Sequence, residues 1–235
     1  MAEATRVIME VIALTLADVD IAQDNGVDRI ELACGLAEGA LTPSYGFMEE
    51  ARRCSRIPIF AMIRPRYGDF NYNHLEIAAM VRDIKTARDT GLDGVILGVL
   101  DARGQVNREA METLLTAAAP LPVTFHRAFD SVQDPYIALE QILNLKGIKR
   151  LLTSGQSENA LAGASLIREL QPRAGSNLSL MPGVGITPAN VAAVIQATGA
   201  REVHLGVGLR TPADPMGKLD AVKVRAARRA LDKTI

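Results

Sequence analysis

The sequence predicts an α/β fold: a (β/α)8 barrel of TIM type, with parallel strands inside and helices outside. Three observations lead there. Short apolar runs alternate strictly with longer segments of helical spacing, eight of each. No hairpin-type turn joins neighbouring runs, so the strands must pair in parallel through helical crossovers. Eight such units fit a chain of 235 residues, close to the usual length of this barrel. The rival is an open doubly wound sheet, but no G-x-G-x-x-G follows the first strand. No linker, low-complexity tract or composition shift divides the chain, so residues 1–235 are read as one domain.

In order, "VIMEVIA" leads into "TLADVDIAQDNG", and "DRIELA" leads through a loop into "GFMEEARRC". "PIFAMIR" precedes "HLEIAAMVRDIKTARDTG", where Leu75, Ile77, Ala78, Val81 and Ile84 are expected to share one helical face. "GVILGVL" precedes "NREAMETLLTAAAP", "PVTFHR" precedes "DPYIALEQILNLKG", and "KRLLTSG" precedes "ALAGASLIRELQPR". "LSLMPGVG" precedes "TPANVAAVIQATG"; "EVHLGVG" is the eighth strand, and "KLDAVKVRAARRAL" closes the chain. Gly26, Gly91, Gly147 and Gly199 stand where helices should stop. Asp134-Pro135 and Thr187-Pro188 read as an N-cap followed by proline in the first helical turn.

Barrel strands meet helices on their outer face, where an unpaired charge would cost several kcal/mol (~2–7). Ionisable strand residues must therefore point inward or sit at the C-terminal rim. They are Glu10, Glu31, Arg64, His126 and His204, from strands one, two, three, five and eight. Alternation puts Glu10 opposite Met9 and Val11, Glu31 opposite Ile30 and Leu32, and His204 opposite Val203 and Leu205. Titratable groups from separate strands aimed at one end of one axis are the way barrel active sites are assembled. A purely structural use stays open, with Glu10 or Glu31 neutralising Arg64 inside the barrel. His74 begins a helix beside a polar loop and reads as a solvated or capping residue.

The glycines of "MPGVGITPAN", Gly183 and Gly185, follow strand seven, where barrels often bind phosphate on backbone N–H groups. "HLGVGLR" adds Gly206, Gly208 and Arg210 after strand eight, and "TSGQ" adds Ser154 and Gly155 after strand six. Tight βα turns alone would also use such glycines.

The totals remove several function classes. Net charge is −1, aromatic content is 4% and tryptophan is absent, which argues against nucleic acid and anionic membrane as partners. No apolar run is long enough to span a bilayer, and the first residues lack the basic and apolar regions of a signal peptide. Two cysteines, Cys34 and Cys54, do not make a disulfide framework and point to a reduced, cytoplasmic setting.

Taken together, "DRIELACGLAEGALTPSYG", "MIRPRYGDFNY", "LPVTFHRAFDSVQDP", "LLTSGQ" and "MPGVGIT" resemble the copper homeostasis protein CutC family in order and spacing. The resemblance runs from about Met9 to the last helix. It implies a TIM-type barrel, a cytoplasmic location, a homodimer or higher homo-oligomer, and Cu(I) as the bound ion. The rim positions it marks are Glu10, Glu31, Arg64, Arg66, Asp69, His126, Arg127, Asp130, Ser154, Gly155, Gly183 and His204. Members commonly carry cysteine two residues after each of the first two strand glutamates; this chain has Ile12 and Ala33 there. Cu(I) favours thiolate and thioether, so Cys34 becomes the remaining candidate ligand, one residue along and on the opposite strand face. Met62 and Met181 could offer thioethers or simply fill the core.

Two functions follow. The resemblance implies copper binding and homeostasis. The residues alone fit an enzyme of isomerase or lyase type acting on a small anionic or phosphorylated metabolite. Arg64 and the loops after strands six to eight would hold the anion, with Arg66 and Arg127 beside them. Glu10 or Glu31 would be the base, with a raised pKa, and His126 would shuttle a proton or polarise a carbonyl. His204 completes the catalytic set, and no lysine ends a strand in a place suited to a Schiff base, Lys149 being at the wrong end of strand six.

Overall fold

The computed structural model describes residues 6–234; residues 1–5 and 235, which the one-domain reading and the signal-peptide reading include, lie outside them. The strands are β1 Ile8–Ala13, β2 Arg29–Leu32, β3 Ile59–Met62, β4 Gly94–Leu97, β5 Val123–Phe125, β6 Ile148–Thr153, β7 Ser179–Pro182 and β8 Glu202–Leu205. The helices are α1 Leu16–Asp24, α2 Tyr45–Cys54, α3 His74–Asp89, α4 Arg108–Ala118, α5 Pro135–Leu143, α6 Ala164–Ala174, α7 Val191–Thr198 and α8 Ala221–Asp232. Parallel ladders run from β8 through β1 and on in sequence order to β7, so the barrel is closed but for a β7–β8 seam without paired strands. A small antiparallel hairpin, β9 Arg210–Thr211 with β10 Lys218–Leu219, follows β8 and was not legible as strands.

Local chemistry explains most boundaries. Asp134 accepts from the N–H groups of Tyr136 and Ile137 with Pro135 in the first turn of α5, as expected. The α3 cap is Asn73, whose side chain and Glu76 form a reciprocal capping box, while His74 is the exposed first helical residue. Two expectations are corrected. Thr187-Pro188 does not begin α7; the Asn190 side chain accepts from Thr187 N–H (2.8 Å) and donates to Gly185 O (2.9 Å), tying the loop before the helix starts at Val191. On α3 the buried residues are Met80, Ile84 and Ala87, whereas Leu75 and Ala78 are exposed. Leu75 lies about half a turn round the helix from Ile84, so it cannot share that face.

Side-chain parity divides the core in two. The larger cluster lies between the outer strand faces and the helices and includes Met9, Val11, Ile30, Leu32, Val203 and Leu205. The smaller one fills the barrel axis: Ile12, Ala33, Ala40, Phe60, Met62 and Ile96. Below it, toward the N-terminal ends of the strands, lies a buried ion network that the sequence reading missed. Arg29 Nε contacts Glu10 Oε2 at 2.5 Å and its terminal nitrogen contacts Glu202 at 2.6 Å, while Arg150 Nε reaches the same Glu202 oxygen at 2.9 Å. Both guanidinium groups pack on the Phe60 ring, 5.3 and 5.0 Å from its centre.

Candidate active site

The strand ends that face inward after β4, β7 and β8 are Gly98, Gly183 and Gly206. A Cβ at these positions would stand 2.7 Å from His126 Nδ1, 2.6 Å from Leu152 Cδ1 and 2.9 Å from Ile12 Cδ1. Those side chains fill the space a Cβ would need, and at the C-terminal mouth opens a cavity of about 850 Å³, lined among others by Glu31, Arg64, His126, Arg127, Asp130 and His204. Glu10 does not line it; it lies one layer below.

Strand register explains the grouping. Glu10 stands opposite His204 in the β1–β8 ladder and opposite Arg29 in the β1–β2 ladder. Its two oxygens are thereby occupied: Oε2 by Arg29, and Oε1 by His204 Nδ1 at 2.8 Å. Glu31 Oε2 lies 3.9 Å from the same His204 nitrogen and has no hydrogen-bond partner among the described residues, though the residue is 1% exposed. The two glutamates therefore part company. Burial works to raise the Glu10 carboxyl, but Arg29 and His204 outweigh it and hold the group at about 2. Burial pushes Glu31 up to about 7, with the charge on Glu10 adding to the push and His204 opposing it. Burial also works against charge on His204, yet Glu31 and then Glu10 outweigh it and raise that imidazole. Glu31 and His204 both face the cavity, 3.9 Å apart with no hydrogen bond between them, and each favours charge on the other. Glu10, with its carboxyl held well below the usual range, is the partner of Arg29 and lies below the cavity, which corrects both its reading as a base and its pairing with Arg64.

Arg64 is buried under the mouth and grips backbone: its terminal nitrogens donate to the carbonyls of Glu38 (3.2 Å), Gly39 (2.7 Å) and Gly68 (2.8 Å). Its Nε has no partner among the described residues, and the guanidinium stacks on Phe70 at 4.9 Å. Arg66 does not line the cavity. It is spent on Glu76 (2.5 Å), Asp69 (3.0 Å) and loop carbonyls, and so clamps the β3–α3 loop.

The strand-six loop already holds an anion, the chain's own Asp130. That carboxylate accepts from Thr153 Oγ1 (2.5 Å), Ser154 N–H (3.0 Å) and Ser154 Oγ (3.1 Å), and pairs with Arg127 at 2.9 Å. Ser154 is thus occupied, and Gly155 N–H donates to Thr153 Oγ1. Gly183 N–H likewise donates to Thr153 O, so its contribution is the space it leaves rather than a donor. The loops after β7 and β8 differ. Gly185, Gly206, Val207 and Gly208 line the cavity, and among the described residues their amide N–H groups donate to no other group of the chain. The two loops pack backbone to backbone, a Cβ on Gly208 falling 2.1 Å from Ile186 O. Gly208→Ala should therefore cost about 1–3 kcal/mol, read as a lowered urea midpoint, because a main-chain neighbour cannot swing aside.

Among the described residues one group could bring three metal-ligand atoms within 4.8 Å of one another: Glu10, Glu31 and His204. It does not fit Cu(I). Its donors are hard oxygen and imidazole, and both Glu10 oxygens are committed to Arg29 and His204. One thioether, Met62, lines the cavity; the other soft donors lie outside it. Cys34 is outside the cavity, its thiol donating to Thr42 O at 3.1 Å, and Met181 sulfur accepts from Arg29 at 3.4 Å. Ile12 and Ala33 meet inside the barrel mouth with Met62, in one apolar cluster. His126 is not part of the acidic group.

A parallel eight-stranded barrel with ionisable groups gathered at its C-terminal mouth is a TIM-type barrel with its site at the usual end. The CutC family model matches residues 7–209, and the chain belongs to the CutC family. It is 42% identical to a CutC family protein of Chromobacterium violaceum, covering 96% of this chain and 98% of that one. It is 44% identical to the human copper homeostasis protein cutC homolog over 84% of this chain and 72% of the relative. A crystal structure of a copper homeostasis protein CutC from Streptococcus agalactiae superposes with a TM-score of 0.81 at 35% identity, covering 85% of this chain and 98% of that one.

Proposed function

We propose that this barrel binds a small phosphorylated metabolite at its mouth and moves a proton with Glu31, as an isomerase or lyase does. The observation that carries this is Glu31 itself: a buried carboxyl with an unpartnered oxygen, facing a cavity large enough for a metabolite. Its value near 7 suits an acid–base group at neutral pH. The amides of Gly185, Gly206 and Val207 supply donors for the phosphate, and Arg64 adds positive charge to the same cavity from the β3 side. The copper homeostasis named for the relatives comes to this chain as fold kinship, because among the described residues Met62 is the one soft donor lining the mouth and no thiolate joins it there. A cytoplasmic homo-oligomer remains part of the proposal; the two cysteines are free, as a reducing compartment would keep them.

Crystals soaked in inorganic phosphate should show the ion against the amides of Gly185, Gly206 and Val207. Titration of the reduced protein with Cu(I) should show no tight stoichiometric site that disappears in Cys34→Ser or Cys54→Ser. A soaked crystal without phosphate at those amides, or a thiol-dependent copper site, overturns the reading.

A further inference from the structure

His126 is held in a way that neither the acid–base pair nor the phosphate loops explain. It ends β5, and its Nδ1 accepts from Ala128 N–H at 3.2 Å, capping the 3-10 turn Arg127–Ser131. A ring nitrogen that accepts a backbone hydrogen bond carries a lone pair, so the ring proton resides on Nε2. That Nε2 is buried and has no partner among the described residues, and the residue lines the same cavity as Glu31. The ring has little freedom to turn: Phe70 packs at 4.9 Å between centres, tilted by 57°, and Phe125 meets it edge-on at 6.2 Å. The charged groups that face it are Arg64 and Arg127, both cations; burial first and Arg64 next hold the imidazole down at about 3. It is thus uncharged under ordinary conditions. Gly98, with no side chain, gives the ring its place at the mouth.

We propose that His126 presents a fixed Nε2–H donor to the carbonyl oxygen of the bound metabolite, and that the reaction at this site is proton transfer at the carbon next to that carbonyl. The inference rests on the phosphate-binding reading above and adds the substrate class, a small phosphorylated aldehyde or ketone. In the step, the carbon–hydrogen bond breaks and its proton passes to ionised Glu31. The released electron pair forms a carbon–carbon π bond, and the carbonyl π pair moves onto oxygen, where Nε2–H stabilises the charge. Return of the proton from Glu31 to carbon regenerates the carboxylate. An uncharged donor is well matched to this task, because it stabilises the oxyanion without surrendering its own proton, as the neutral electrophilic histidine of triosephosphate isomerase does.

Phosphoglycolohydroxamate mimics the charged oxygen and its planar neighbour, whereas glycerol 3-phosphate, with a neutral hydroxyl on a tetrahedral carbon, and inorganic phosphate do not. By calorimetry the hydroxamate should bind more than about tenfold tighter than glycerol 3-phosphate. His126→Asn, which keeps a short acceptor for Ala128 N–H, should weaken the hydroxamate by about 100-fold while leaving inorganic phosphate affinity unchanged. Equal affinity for the two organic probes, or equal losses of hydroxamate and phosphate in the variant, overturns the role of His126 and leaves the phosphate site standing. Failure of inorganic phosphate to bind at all overturns the underlying reading and this inference with it. On the unsubstituted protein, nitrogen-15 spectra should place the His126 proton on Nε2 throughout about pH 5–8. A proton on Nδ1, or titration within that range, overturns the inference without any variant.

Discussion

Arg29→Ala should remove about 3–5 kcal/mol of stability, roughly 10 °C of melting temperature for a chain of this size, although Arg29 itself lies below the mouth. Arg29 is 5% exposed and links two buried carboxylates, Glu10 and Glu202, at 2.5 and 2.6 Å. Truncation leaves both short of a partner in a medium that cannot solvate them. Glu10 keeps His204 and Glu202 keeps Arg150, but neither replaces a bidentate cation set between them. The sign of the pH dependence changes with the variant. With Arg29 present, the lowered Glu10 pKa contributes stability that is present above its ordinary value of 4.5 and is lost as pH falls through about 2. Without Arg29, burial dominates and the Glu10 pKa rises, so stability falls as pH increases from acid toward neutral. Denaturant titrations of both proteins across that range read the crossing directly. Arg29→Met combined with Glu10→Gln should recover most of the loss, since removing both partners spares the unpaired charge. A loss below about 1 kcal/mol, the worth of a surface ion pair, would contradict this account.

The barrel was legible because its signals are local. Alternation within β1, β2 and β8 is enough to send Glu10, Glu31 and His204 inward, and parallel pairing is enough to bring them together. The same parity applies to Arg29, two residues before Glu31, and to Arg150 and Glu202; a reading that looked for chemistry at the strand ends passed over charges at the strand starts. Other parts depend on contacts no local pattern encodes. Asp130 reaches Ser154 across 24 residues, so a loop that reads as an anion site is already filled by the chain itself. Arg66 reads as a rim cation until Glu76, ten residues along, claims it. The division of labour between Glu10 and Glu31 was equally hidden. Both are buried inward glutamates on adjacent strands, and only the β1–β2 register, which pairs Glu10 with Arg29 and Ile12 with Glu31, sets one at the floor and the other at the mouth.

That division yields the second large effect. Glu31→Gln should abolish proton transfer at the mouth and, independently of any substrate, should remove a pH-dependent stability term. Folding raises the Glu31 pKa from 4.5 to about 7, chiefly through burial. A raised acid contributes stability fully present below its unfolded value and lost as pH rises through its folded value, here between about 4.5 and 7. The amount is about 3 kcal/mol, at about 1.4 kcal/mol for each pKa unit. Glutamine has the same shape and carries no charge, so the variant should match the parent near pH 4 and exceed it by about 2–3 kcal/mol above about pH 8. His204 changes the midpoint but not the direction. Its own pKa is raised mainly by Glu31, so it too loses stability as pH rises, and in Glu31→Gln its titration should move to lower pH. Infrared spectra offer a direct check, because a protonated-carboxyl band that fades near neutrality in the parent should be missing in the variant. Parallel stability curves for the two proteins across this range would mean that Glu31 is ionised throughout, and a carboxylate that never holds a proton near neutral pH could accept one from substrate only weakly.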